Sequence, residues 1–134
     1  MTLTRRMETL SPSQSQELLG RGGIGRVVFT DRGLPAVLPV AFVVDGDSVV
    51  IRTADGSRLA RAGDDTVLSF QTDTLNETSR TGWSVVVTGQ ARIESDEDER
   101  DRISDLLEPW VPGRRDVIIR IPLTLVTGRR ITTA

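Results

Sequence analysis

The sequence predicts an antiparallel β-barrel with short helices at its periphery. Three observations carry this. Runs rich in Val, Ile, Phe and Thr recur along the 134 residues, and turn signals such as Asp31-Arg32-Gly33 and Asp45-Gly46-Asp47 separate them. Hairpin-like spacings dominate. Strands do not alternate with full-length helices, so the pattern of a parallel sheet is missing.

The elements follow in order. Residues 1–10 read as a loose arm ahead of a single domain, 11–134. Ser11-Pro12-Ser13-Gln14 opens a helix: Ser11 caps, Pro12 suits the first position, and Gln14 stands where a capping box needs it. The helix stops at Gly20. Gly20-Arg21-Gly22-Gly23-Ile24-Gly25 spells G-x-G-x-x-G, but it follows a helix and enters a strand, the reverse of a dinucleotide fingerprint. Arg26–Thr30 and Pro35–Val44 form a hairpin. Pro35 and Pro39 mark the second strand as an edge, a bulge, or backbone left free to face something else. A strand from Val49, a short helix over Ser57–Ala62 and a strand over Thr66–Phe70 come next. Asp73–Thr81 is polar and reads as irregular. Gly82–Ile93 is the longest strand, with a bend or bulge at Gly89. Ser95 caps a helix whose apolar face is Ile103, Leu106, Leu107 and Trp110. Its acidic start, Asp96-Glu97-Asp98, reads as a solvated helix terminus rather than a metal site. Val117–Ile121 and Leu123–Gly128 close the chain as two strands or one bent strand.

Missing residue types exclude chemistry. The sequence holds no Cys, His, Tyr or Lys, and all 17 basic residues are Arg. The usual structural zinc sites, thiol nucleophiles, an imidazole base and a Schiff-base lysine are therefore out of reach. Any redox chemistry falls to an organic cofactor. The net charge of −2 argues against a dedicated nucleic-acid binder. No apolar run approaches the ~18 residues of a membrane span, so a cytoplasmic protein is the expectation.

One stretch concentrates anion-binding groups: Ser48–Ala62, SVVIRTADGSRLARA. A strand ends at Arg52-Thr53, and Asp55-Gly56 leads into the helix at Ser57-Arg58. Forked guanidinium groups, hydroxyls and free N–H groups at a helix start suit a phosphate. On the local pattern alone, a solvated turn with two surface arginines is the simpler reading.

Four segments together resemble a known family: Gly25–Phe29; Pro35–Val40 leading into Phe42–Gly46; Val50–Thr53 with Gly56–Leu59; and Thr81–Gly89, followed by Val126–Ile131. The chain resembles the pyridoxamine 5′-phosphate oxidase-like, FMN-binding split β-barrels, and is most similar to the small actinobacterial members. The resemblance implies a homodimer with flavin sites at the subunit interface. It implies that Arg52, Thr53, Ser57 and Arg58 hold the flavin phosphate and that Pro39, Val40 and Ala41 run beside the ring. Trp83 and Ser84 match a segment that approaches the flavin, from the same subunit or across the interface; Trp83 reads equally as a packing aromatic. Arg58 stands where many members carry lysine. The axial histidine of the haem-using relatives is missing, and only Arg129 and Arg130 could supply the extra substrate-phosphate contacts of the vitamin B6 oxidase itself. The expected function is FMN-dependent hydride or electron transfer to a small molecule. The alternatives are FAD, or deazaflavin F420 with Arg61, Arg80, Arg114 and Arg115 toward its acidic tail. A non-catalytic flavin store and a cofactor-free barrel complete the set.

Overall fold

The computed structural model describes residues 4–109 and 116–133. The elements are β1 (Arg5–Thr9), α1 (Pro12–Leu19), β2 (Gly23–Asp31), β3 (Leu34–Asp45), β4 (Ser48–Ala54), α2 (Arg58–Ala62), β5 (Thr66–Asn76), β6 (Thr81–Ile93), α3 (Glu97–Leu106), β7 (Asp116–Pro122) and β8 (Leu125–Thr133). The strands run in the order β1-β8-β6-β5-β2-β3-β4-β7, and β7 returns to pair with β6. Six strands thus close an antiparallel barrel, while β8 and β1 extend from it. This is the split barrel that the sequence predicts.

The split lies along one edge of β6. Gly82–Thr88 pair with β8, whereas Arg92 and Ile93 pair with β7. Gly89 sits at the fork. A Cβ there would overlap the Pro122 carbonyl oxygen and lie 3.0 Å from the Pro122 Cγ. The bend expected at Gly89 is therefore a close backbone approach that only glycine permits.

Inward residues alternate along the strands, as the two-residue period requires. Leu68 and Phe70 of β5 and Val85, Val87 and Ala91 of β6 are buried. Phe70 meets Phe42 with ring centroids 4.6 Å apart and tilted by 59°. Gly25 leaves room for the Phe70 ring, which any side chain there would strike. The capping box of α1 forms as expected, with Ser11 and Gln14 each bonding the other's backbone N–H. Ser15 and Leu10 press this helix against Gly128 of β8.

Four local expectations change. Arg5–Thr9, read as a loose arm, pairs along β8 from Arg5↔Thr133 to Thr9↔Arg129. That strand is mostly exposed, so backbone pairing rather than an apolar pattern holds it, and periodicity gave no signal. Asp73–Asn76 continues β5 as an exposed strand, leaving only a short turn before Thr81. The cap of α3 is the Asp96 carboxylate, which accepts from the Asp98 and Glu99 N–H groups, instead of Ser95. Ile103 and Leu107 are buried but Leu106 is 53% exposed, because the helix ends before its apolar stripe completes. Trp110 lies outside the described residues.

Candidate functional site

β3 and β4 part company halfway along. They pair only from Phe42↔Ile51 to Asp45↔Ser48. Beyond that point β3 stays on β2, through Ala41↔Ile24 and Val40↔Gly25. β4 stays on β7, through Arg52↔Ile118, Thr53↔Val117 and Ala54↔Asp116. A wedge opens between them and holds a cavity of 380 Å³, inside the ~300–1,000 Å³ range of small-molecule sites. Leu38, Pro39, Val40 and Ala41 line one wall; Arg52, Thr53 and Ala54 line the other. Pro35 and Pro39 help create the wedge, since β3 lacks two of the N–H groups that a strand with neighbours on both edges would use.

Arg52 is the cation of this cavity among the described residues. Its Nη1 donates to the Leu107 carbonyl at 2.6 Å, and its Nε stands 3.1 Å from the Asp116 carboxylate. Both side chains are largely buried, 14% and 9% exposed. The Nε–H is nevertheless not aligned with an acceptor, so the contact is an ion pair by distance without a directed hydrogen bond. A buried guanidinium donor left this way is the kind of orphan that a bound anion satisfies.

The other phosphate candidates are arranged differently. The Thr53 and Ser57 hydroxyls are hydrogen-bonded at 2.9 Å, and the Ser57 hydroxyl accepts the Ala60 N–H at 3.0 Å. Ser57 is thus the cap of α2, a helix of five residues, and stands behind Thr53 rather than in the cavity wall. Arg58 turns away to Asp31, with Nε 2.6 Å from Oδ2, and its side chain is 58% exposed. Trp83 and Ser84 lie on β6, outside the cavity lining of their own chain. Trp83 is half-buried against the core, in register with Thr74 and Arg130; Ser84 stands between Asp73 and Arg129. The structure therefore brings together Pro39, Val40, Ala41, Arg52 and Thr53, with Ser57 behind them. It does not bring Arg58, Trp83 or Ser84 into the same cavity. Arg61, Arg80, Arg129 and Arg130 are likewise outside its lining, and Arg114 and Arg115 lie outside the described residues.

Sequence reading missed the third wall: Leu107, Glu108, Pro109 and Asp116. No local signal marks them. They reach the site because β7 pairs with β4 and α3 docks on the barrel. A cluster of charges clamps that helix. Arg120 of β7 bonds Asp45, Glu94 and Glu99 at 2.9–3.0 Å, and Arg102 of α3 bonds Asp45 and Glu99. Hydrogen bonds from Arg102, then Arg120, hold the Asp45 carboxyl well below its ordinary range against the opposing effect of burial. The Arg102 hydrogen bond also depresses Glu99.

The family's residues now have a frame. The pyridoxamine 5′-phosphate oxidase family model matches residues 11–130, nearly the whole chain. The chain belongs to this family. The uncharacterized protein Rv0080 of Mycobacterium tuberculosis is 39% identical over 132 residues, covering 95% of this chain and 87% of its own length. The FAD-binding protein of Mycobacterium smegmatis superposes with a TM-score of 0.73 at 30% identity, covering 93% of this chain and 98% of that one. A conserved protein of unknown function from Corynebacterium diphtheriae gives 0.79 at 29% identity, covering 94% and 98%. Among the described residues, this family member has no helix long and apolar enough to cross a membrane and no cluster of three acidic side chains suited to a metal ion.

Proposed function

We propose that this chain is a flavin-dependent oxidoreductase whose cofactor occupies the wedge between β3 and β4. The observation that carries the proposal is the free backbone edge at Pro39–Ala41 facing Arg52 and Thr53 across a 380 Å³ cavity. The residues fit a flavin nucleotide. Ile24, Leu38 and Leu59 offer apolar surface to a planar ring. The Ala41 peptide N–H and carbonyl and the Pro39 carbonyl, on the wedge side of β3, supply a donor and acceptors for the polar ring edge, beside Val40. Arg52, with its unaligned Nε–H, and the Thr53 hydroxyl meet the 5′-phosphate. A bound flavin supplies hydride or electron transfer, which no side chain of this composition performs. The chain's part is to orient the ring and keep water from its buried face.

FMN is the smallest flavin with such a phosphate. FAD is the second reading, favoured by the 30% identical FAD-binding protein. F420 has less support, because Arg61 and Arg80 stand outside the cavity lining. A homodimer belongs to the same proposal. On the outer face of the β2–β3 hairpin, Val37 and Val28 are 59% and 37% exposed and face one another in register. A second copy covering that face gives Trp83 and Ser84 a route to the flavin that they lack within one chain.

The test is the absorbance spectrum of purified protein before and after adding FMN, FAD and F420, with released cofactor identified by mass. A perturbed flavin spectrum is expected, with a melting shift equivalent to ~2.7 kcal/mol at a ligand concentration 100 times the dissociation constant. A colourless protein with no shift from any of the three refutes the flavin reading and leaves a cofactor-free barrel. Reduction by NAD(P)H or reduced deazaflavin, followed by reoxidation by a substrate, separates an enzyme from a flavin store.

A further inference from the structure

We propose that α3 is a detachable cover over the wedge, latched to the barrel by ion pairs, and that its release is the way a ligand enters and leaves. The proposal rests on the wedge being the ligand site and adds a moving part to it. Two walls of the cavity are fixed by strand ladders. Pro39–Ala41 stay paired with β2, and Arg52–Ala54 stay paired with β7. Leu107, Glu108 and Pro109, which follow α3 and form the third wall, belong to no ladder. Lifting them breaks the hydrogen bond from Arg52 to the Leu107 carbonyl and opens the buried side of the guanidinium.

The build of α3 makes it easy to release. Its ten residues are too few for an independent helix, since isolated helices shorter than ~12–15 residues are marginal in water. The first turn suits the helix dipole, with Glu97, Asp98 and Glu99, but the last turn has no basic residue and carries Asp105. Arg52 of β4 supplies the missing cation, because its guanidinium caps the Leu107 carbonyl. One side chain of the helix, Ile103, is buried, and it packs with Val50, Ile118 and Val43 in a cluster apart from the barrel core. Polar contacts supply the remaining attachment among the described residues. Arg102 bonds Asp45 through two nitrogens at 2.8 and 2.9 Å, Arg120 reaches Glu99 at 2.9 Å, and Arg100 donates to the Asp116 carbonyl at 3.1 Å. Release leaves none of the latch charges bare. Arg102 keeps Glu99 within the helix, and Arg120 keeps Asp45 and Glu94 on the barrel. The Arg102 and Glu99 side chains are 46% and 41% exposed, so salt screens the latch. An element with one buried side chain and exposed ionic ties opens locally, without global unfolding.

Hydrogen–deuterium exchange of the full chain without ligand gives the test, with α1 as the internal reference because Leu19 anchors it in the main core. Exchange over Ile103–Leu107 is expected to outpace that of β4 and β7, and to quicken about threefold relative to α1 as salt rises from about 0.05 to 0.5 M. Arg102→Ala and Glu99→Gln should each quicken it about two- to fivefold at low salt and reduce its salt dependence. FMN at fixed salt should slow exchange over the same amides, and should leave Arg102→Ala about two- to fivefold faster than the wild type. Arg102 stands outside the cavity lining, and Arg6→Gln on β1 is the control that should change neither rate. Exchange of α3 only together with the barrel strands, or with no response to salt, overturns the proposal. So does unaltered FMN release from a variant whose α3 exchange has quickened. Failure of the wild type to bind FMN counts against the flavin reading, whereas the ligand-free exchange still upholds or overturns the cover.

Discussion

Replacing Arg52 by alanine tests the fold and the site together. Asp116 then keeps its buried position without the one cation that lies within ion-pair distance of it among the described residues. Breaking a buried pair by removing one partner costs ~3–5 kcal/mol, because a charge is left in a medium that solvates it poorly. Here the side chains retain 14% and 9% exposure, so the low end applies, about 3 kcal/mol. For a chain of this length that corresponds to a fall in Tm of roughly 10 °C. Removing both partners in Arg52→Ala/Asp116→Ala takes away the orphaned charge, and about half of the loss should return. The assay is urea unfolding of the wild type, both single variants and the double variant, read as a double-mutant cycle. A coupling energy above 1 kcal/mol is expected. Flavin affinity, measured on the same proteins under native conditions, should fall in Arg52→Ala by a further 1.5–3 kcal/mol, or about 10- to 150-fold, for the lost charge-assisted contact. Additive stability effects with no coupling would show that the pair is solvated. Unchanged flavin affinity would remove Arg52 from the phosphate site.

Three other outcomes follow from the same structure. Gly89→Ala should cost about 1–3 kcal/mol in denaturant unfolding, since the new Cβ overlaps the Pro122 carbonyl and the fork of β6 must open; a change below 0.5 kcal/mol would mean that the β6–β7 closure is loose. Stability should fall on acidification. Asp45 is depressed below its ordinary 3.8, so its stabilising contribution is complete above that pH and disappears as pH drops through the folded value; Asp45→Asn should flatten the acid limb of a stability-against-pH curve, and an unchanged limb would contradict the Arg102–Arg120 clamp. Ser57→Ala should lose about 1 kcal/mol of stability from the missing α2 cap while weakening flavin binding far less than Arg52→Ala does; a binding loss equal to that of Arg52→Ala would place Ser57 on the phosphate directly.

Much of the fold was legible because the signals are local. β-branched runs, the Asp31-Arg32-Gly33 and Asp45-Gly46-Asp47 turns and the Ser11 capping box each act within a few residues, and each forms in the structure. The prolines of β3 likewise announced a strand with an edge to spare, and that edge became a cavity wall. Arg52 and Thr53 were legible as chemistry, a fork and a hydroxyl at the end of a strand. Their surroundings were not. The backbone acceptor of Arg52, Leu107, is 55 positions away in sequence, and the partner that turns Arg58 aside, Asp31, is 27 away. Neither separation leaves a periodic trace. β1 escaped notice for a related reason, since an exposed strand held by its peptide groups carries no apolar alternation.

The sequence by itself determined the apolar strands and the turns between them, though not β1 or the polar end of β5, and that no side chain could supply redox chemistry. Those properties follow from backbone sterics, side-chain alternation and composition, which act residue by residue. Tertiary structure alone decided that β4 leaves β3 for β7. Barrel closure draws β7 across both β4 and β6, because every remaining strand edge gains hydrogen bonds by pairing. That closure opens the wedge and sets a buried carboxylate beside Arg52, so the charge at the candidate site is a consequence of strand pairing.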